Sequence, residues 1–204
     1  MTKKIKAIIA IGGTGGHVFP GCNLANHLID NGYEIKLVTD KRGLNFLEKY
    51  KNLNIFILPS SPLQNKNLIT FIYSTIKVFY SIIRSLIFLV FNRPRIIFGM
   101  GGYASFPICI AAWLLKIEFV IYENNLIIGK ANKYLLPFAK KVFVSYEELE
   151  GIPLKYANKI LLIGNIIKNE IINFSQTNKN LLGDKKINIL VLGGSQAAKI
   201  FAKT

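Results

Sequence analysis

The sequence predicts an α/β protein built on a Rossmann-like, doubly wound parallel sheet. Three observations carry that expectation. Short β-branched or aromatic runs, apolar on both faces, alternate with longer helix-like segments. Glycine-rich stretches follow two of those runs directly. Finally, 51% of the 204 residues are hydrophobic, enough to fill a large core and to exclude a disordered chain.

In chain order, "KAIIAI" (residues 6–11) is the first strand. It empties into "GGTGGHVFP" (12–20) and a helix expected over about 20–31, with Pro20 suited to its first turn. "EIKLVT" (34–39) is the second strand, ahead of a helix near 42–50, and "NIFIL" (54–58) is the third. A long apolar helix over 68–91 follows, and then "RIIFGM" (95–100) passes through "GMGGYAS" (99–105) into a helix near 104–116. "FVIY" (119–122), a helix near 129–138 and "KVFVS" (141–145) complete the alternation, which right-handed crossovers assemble into one sheet. The polar stretch "NFSQTNKNLLGDKK" has neither period, and "INILVLGGSQAAKIFAKT" then restarts with strand, glycines and helix. The expected organisation is a Rossmann-like domain over residues 1–174, a linker over 175–186, and over 187–204 the first strand and helix start of a second, incomplete domain.

Charge and cysteine content narrow the setting. A formal net charge of +15 suits nucleic acid or an anionic membrane surface, and equally a chain rich in Ile, Lys and Asn throughout. Cys22 and Cys109 stand far apart with no secretory leader pattern, so neither a disulfide framework nor secretion is expected and a reducing cytoplasm is the default. The segment 68–91 is apolar enough to raise a membrane span. At mid-membrane Lys77 and Arg84 would each cost about 2.5–3.5 kcal/mol, against about 0.3–0.6 gained per large aliphatic or Phe, and the balance is near zero. Topology decides, because a span between the third and fourth strands would put the two halves of one sheet on opposite sides of a bilayer. Thr70, Ser74, Lys77, Ser81 and Arg84 recur as one polar stripe, and the favoured reading is a helix docked at the interface, ahead of one packed wholly in the core.

The glycines mark the site. In a sheet of order 3-2-1-4-5 the loops after strands one and four flank a crevice, and both loops here open helices whose free N–H groups favour anions. Four glycines in five positions exceed what a tight turn needs. The dinucleotide fingerprint G-x-G-x-x-G fails, since the sixth position from Gly13 is Val18, and a phosphate loop would need Lys where His17 stands. Asp40, at the end of the second strand, could still hold a ribose, which keeps a dinucleotide-dependent oxidoreductase as a minor alternative. His17 can take a proton near neutral pH or serve as a helix-start residue; His27, mid-helix, reads as structural.

"GGTGGHVFPG", "GMGGYAS", "ENN" followed by "GKANKYL", "GNIIK" and "GGSQAA" together resemble the MurG-type glycosyltransferases. The resemblance implies two facing Rossmann-like domains, the first for a lipid acceptor and the second for a nucleotide sugar. It implies metal-independent, cofactor-free, inverting transfer of N-acetylglucosamine from UDP-N-acetylglucosamine to lipid I, giving lipid II. It also implies an anionic membrane surface on the cytoplasmic face of the bacterial inner membrane as partner, and no nucleic acid. His17 and Glu123 are the catalytic candidates, and Thr14, Gly15, Gly16, Gly101, Gly102, Tyr103, Asn125, Lys168 and Ser195 are the substrate-binding ones. The family's "HEQN" reads "YENN" here, so Tyr122 and Asn124 depart from the pattern. Lys168 stands where the family has an arginine near the donor phosphates, keeping the charge without the bidentate fork. Ala197 replaces the glycine after "GGSQ".

These residue types suit the chemistry. An inverting transfer needs a base for the acceptor hydroxyl and positive groups or N–H dipoles for the departing diphosphate. His17 or Glu123 could be the base; the helix-end amides, Lys168 and Ser195 could serve the phosphates. A non-catalytic, membrane-docked acceptor-binding subunit with a separate donor-domain partner is the alternative.

Overall fold

The computed structural model describes residues 4–48, 50, 52–60 and 67–177. Ser195, the expected second domain and most of the expected linker lie outside them. Seven strands form one sheet: β1 (Lys6–Ala10), β2 (Glu34–Thr39), β3 (Asn54–Ile57), β4 (Ile96–Gly99), β5 (Phe119–Glu123), β6 (Lys141–Val144) and β7 (Ile160–Leu162). Their order is β3-β2-β1-β4-β5-β6-β7, with each neighbouring pair parallel. The expected doubly wound order is the observed one. β7, three residues long and largely exposed, adds a strand too short and too wet to read as a buried apolar run.

Strand alternation feeds two cores, one on each side of the sheet. Ile8 and Ala10 of β1 join Val38, Ile97 and Ile121 on one side, while Ala7 and Ile9 join Ile35, Leu37 and Val18 on the other. Helices α1 (Gly15–Asp30), α2 (Lys41–Leu44), α3 (Leu68–Asn92), α4 (Ser105–Leu114) and α5 (Lys130–Leu135) connect the strands, and a 3₁₀ turn, Leu154–Lys159, precedes β7. The chain divides into two compact units, Met1–Ile167 and Lys168–Thr204. Within the second, the described part includes helix α6 (Asn169–Thr177), which runs into the stretch read as linker from 175.

Helix α1 begins at Gly15 rather than near 20, so Pro20 lies inside it. A proline has no N–H to donate four residues back, which leaves the Gly16 carbonyl without its helical partner. Asn124 supplies one: its Nδ2 donates to the Gly16 oxygen at 2.8 Å across 108 residues of sequence. The helix therefore tolerates its proline because the loop after β5 repairs the gap. His27 stands exposed in the last turn of α1.

Helix α3 carries its apolar residues outward, the arrangement that a helix docked at an interface requires. Ser74 and Ser81 of the polar stripe face inward and are buried with Ser85 and Leu89. Each serine hydroxyl of the inner pair bonds a carbonyl four residues back, Ser81 to Lys77 at 2.9 Å and Ser85 to Ser81 at 2.7 Å, so small polar residues line the packed face at no cost in orphaned groups. The apolar residues point outward instead: Ile69, Ile76, Phe79, Ile83 and Phe91 are 79, 63, 64, 53 and 82% exposed. By length and composition α3 could cross a membrane. It is nevertheless the crossover between β3 and β4 of one sheet and packs on α4, so a span would pull that sheet apart.

Candidate functional site

The loops after β1 and β4 meet glycine on glycine. A Cβ on Gly102, whose φ is +77°, would lie 2.5 Å from the Gly12 carbonyl oxygen, and one on Gly12 would lie 2.9 Å from the Ala104 Cβ. Gly101, with φ of +90°, lies directly against the His17 imidazole, where a Cβ would approach within 2.8 Å of the ring. Part of the glycine content is thus explained by loop-to-loop packing and by room for the histidine. Gly15 and Gly16 occupy the first two positions of α1, where the helix supplies no acceptor for their amides, and Thr14 is the N-cap residue without a side-chain cap bond.

These loops, α5 and the segment after β5 enclose a cavity of about 370 Å³. Of the sequence-derived candidates, Thr14, His17, Gly101, Gly102, Tyr103, Glu123 and Asn125 line it together. Gly15 and Gly16 stand beside it at the helix start. Lys168 is exposed and belongs to the second unit, described by itself, and Ser195 lies outside the described residues.

The two proposed bases differ sharply. The Glu123 side chain is 1% exposed and its carboxylate accepts four hydrogen bonds. Oε1 takes the Asn125 amide N–H at 3.1 Å and Asn125 Nδ2 at 2.7 Å; Oε2 takes the Gly129 N–H at 2.8 Å and Asn132 Nδ2 at 3.0 Å. Those donors fill the lone pairs of an ionised carboxylate, so Glu123 holds the loop between β5 and α5 in shape rather than standing ready for a substrate proton. His17 is the opposite case. Its Nδ1 is buried and makes no hydrogen bond of ordinary geometry among the described residues. Burial pulls its pKa below the usual 6.5, and the Glu123 charge and the Met100 backbone offset only part of that. The imidazole is therefore neutral near pH 7, with its Nδ1 against the loop after β4.

Asp40 is buried and does not reach for a ribose. It accepts from Gly43 N–H at 2.8 Å, Gly13 N–H at 3.4 Å, Arg42 Nη2 at 2.7 Å and Nε at 3.1 Å, and the Ser60 hydroxyl. Burial alone would raise its pKa; the bonds from Ser60, Gly43 and Arg42, with the guanidinium charge, outweigh it and hold the carboxyl below the usual range. That saturation removes the feature that supported a dinucleotide enzyme.

Arg42 and Asn132 line the site without having been named as candidates in the sequence, and Asn124, noted there only as a departure from the family pattern, braces it. Arg42 lines the cavity, and its guanidinium lies 5.5 Å from the Tyr103 ring centre. Asn132 donates to Glu123 and to the Tyr122 carbonyl, while its buried Oδ1 finds no partner among the described residues. Tyr122, one of the departures from the family pattern, bonds Ser145 through its hydroxyl at 2.8 Å and takes the Ile166 N–H at 3.3 Å, tying the ends of β5 and β6 to the segment after β7.

Comparison with known proteins agrees with this fold. Residues 7–144 match the glycosyltransferase family 28 N-terminal domain. A relative from Pelagibacter ubique, named UDP-N-acetylglucosamine–N-acetylmuramyl-(pentapeptide) pyrophosphoryl-undecaprenol N-acetylglucosamine transferase, is 36% identical over 203 residues, covering 98% of this chain and 54% of the relative. A Rickettsia felis protein of the same name is 35% identical over 97% of this chain and 55% of its own length. The chain spans about half the length of these curated relatives. The crystal structure of Acinetobacter baumannii MurG superposes with a TM-score of 0.72 at 25% identity, over 98% of this chain and 55% of that one. A UDP-N-acetylglucosamine 2-epimerase shares the fold alone, with a TM-score of 0.57 at 15% identity. The match of 7–144 takes in the sheet from β1 to β6, the paired glycine loops and the His17 cavity, and by it this chain belongs to glycosyltransferase family 28.

Proposed function

We propose that this chain carries the acceptor side of an inverting transfer of N-acetylglucosamine from UDP-N-acetylglucosamine to lipid I, the muramoyl-pentapeptide linked through pyrophosphate to undecaprenol. His17 is the base. Its neutral imidazole takes the proton of the acceptor hydroxyl as that oxygen bonds the sugar's anomeric carbon and the bond to UDP breaks, the electron pair leaving with the nucleotide. Glu123 is a positioning residue that fixes Asn125 and the start of α5, and Asn125 presents the rest of its amide to the donor sugar. The Gly15 and Gly16 amides and the positive end of α1 favour phosphate oxygens nearby. Lys168 and Ser195 would serve the donor diphosphate.

The observation that carries the reading is the contrast inside one cavity, which the His17 ring lines with its buried Nδ1 against the loop after β4 and Nε2 left to meet the acceptor, while the Glu123 carboxylate already accepts four hydrogen bonds. The exposed apolar ridge of α3 supports docking on the cytoplasmic face of the bacterial inner membrane, where the lipid acceptor lies. The test is a chimera of this chain with the C-terminal half of the Pelagibacter ubique relative, given radiolabelled UDP-N-acetylglucosamine and lipid I. Labelled lipid II is expected. A folded chimera that binds the nucleotide sugar and forms no labelled lipid would overturn the reading.

A further inference from the structure

Tyr122 is buried, and its phenol ends where the chain leaves the sheet after β7. The oxygen lies 2.8 Å from Ser145 Oγ, donates to the Gly164 carbonyl at 3.3 Å and accepts the Ile166 N–H at 3.3 Å. These partners do not depend on it equally. The Gly164 carbonyl also has Ser145 Oγ at 3.4 Å, and the Ile163 and Gly164 N–H groups both reach the Val144 carbonyl, at 3.0 and 3.3 Å. Beyond Gly164, where φ is +77°, the Ile166 N–H has no other acceptor among the described residues. The Ile166 side chain packs against the core cluster that contains Tyr122. Lys168 follows two residues on, where the second compact unit begins. Through its main chain the same Tyr122 serves the His17 cavity, its carbonyl accepting Asn132 Nδ2 at 3.0 Å.

We propose that Tyr122 is a positioning residue for the donor side of the transfer: its hydroxyl fixes Ile166, and through it the start of the segment that carries Lys168. The inference rests on the transfer reading above and deepens it. A chain anchored only as far as Gly164 keeps the wide φ and ψ range of that glycine, and every residue after it swings with it. A bond at Ile166 removes that freedom before Lys168 is reached. Ordering the lysine's backbone in advance spares that entropy when a diphosphate binds. The phenol is also this chain's own solution. On this backbone an imidazole, the residue of the family pattern at this position, is shorter than a phenol and stops short of the Ile166 N–H.

The test uses Tyr122→Phe, which removes one oxygen and keeps the packed ring. In the 204-residue chain, amide hydrogen exchange at Ile166 should quicken at least about tenfold, while exchange at Gly129, whose N–H reports the Glu123 network, should change by less than about twofold. In the chimera described above, calorimetric titration with UDP-N-acetylglucosamine should show binding weakened about threefold to tenfold by Tyr122→Phe, and similarly by Tyr122→His. Lys168→Gln should also weaken it, and Tyr122→Phe added to Lys168→Gln should cost no more than about a further twofold, because the phenol acts through the lysine. Unchanged exchange at Ile166 overturns the proposal, as does donor affinity equal to the parent's in either Tyr122 variant, which would leave the phenol a merely structural tie. Full additivity with Lys168→Gln, or a parent chimera that does not bind the nucleotide sugar, overturns it as well. No measurement here requires glycosyl transfer, so a failed transfer leaves these results readable, and their failure leaves the chemistry assigned to His17 standing.

Discussion

Asn124 has its place because Pro20 cannot donate a hydrogen bond. Removing the amide in Asn124→Ala leaves the exposed Gly16 carbonyl to water, and the expected loss is about 0.5–1 kcal/mol of unfolding free energy, read as a lower urea midpoint, with Asn124→Gln restoring part of it. No local pattern could reveal this pair, since the two residues lie 108 positions apart. The same holds for Arg42, which in sequence is one cation among 26 Lys and Arg residues. His17 was legible from its position after the glycines, but whether it or Glu123 had a free lone pair depended on Asn125, Gly129 and Asn132 closing on the carboxylate. Its titration carries a further expectation. A His pKa lowered from 6.5 by burial means that the folded state resists protonation. Its stabilising contribution is present above about pH 6.5 and is lost as pH falls through the lower folded value, where the unfolded chain binds the proton first. In denaturation measured against pH, His17→Gln should therefore flatten the fall in stability just below pH 6.5 relative to the parent chain.

At the scale of elements, the strands were readable because burial on both faces imposes apolar runs, and the first five paired in the order the glycine loops implied. Helix α3 was readable in extent, while which of its two stripes meets the protein was not assigned by the sequence. Its periodicity separates a polar stripe from an apolar one without saying which faces the protein, and Ser81 and Ser85 can be buried because each bonds a carbonyl four residues back. Full transfer of a large apolar side chain from water is worth about 1.5–3 kcal/mol, so the ridge of Ile76, Phe79 and Ile83 can carry most of the attachment. Vesicle flotation should show binding that rises with anionic lipid and weakens with salt, given roughly 1 kcal/mol for each Lys or Arg near the surface. Ile76→Asp with Phe79→Asp should release the chain, and unchanged flotation by that variant would contradict an outward-facing docking helix.

For the molecule as a whole, one division of labour organises the parts. The sheet sets two glycine loops side by side, Glu123 and Asn124 lock the loop after β5 against them, and His17 lines the cavity beside a Glu123 whose carboxylate is already engaged. The most direct test is the turnover of the chimera with the relative's C-terminal half at saturating acceptor, measured for His17→Ala and Glu123→Gln. Removal of a general base typically costs about 10²–10⁴-fold, so His17→Ala should lower kcat at least about a hundredfold. Glu123→Gln, which disturbs a positioning network without removing the base, should cost clearly less. The reverse ranking, or a His17→Ala enzyme with raised acceptor KM and nearly unchanged kcat, would contradict the account and reduce His17 to a binding residue at the start of α1.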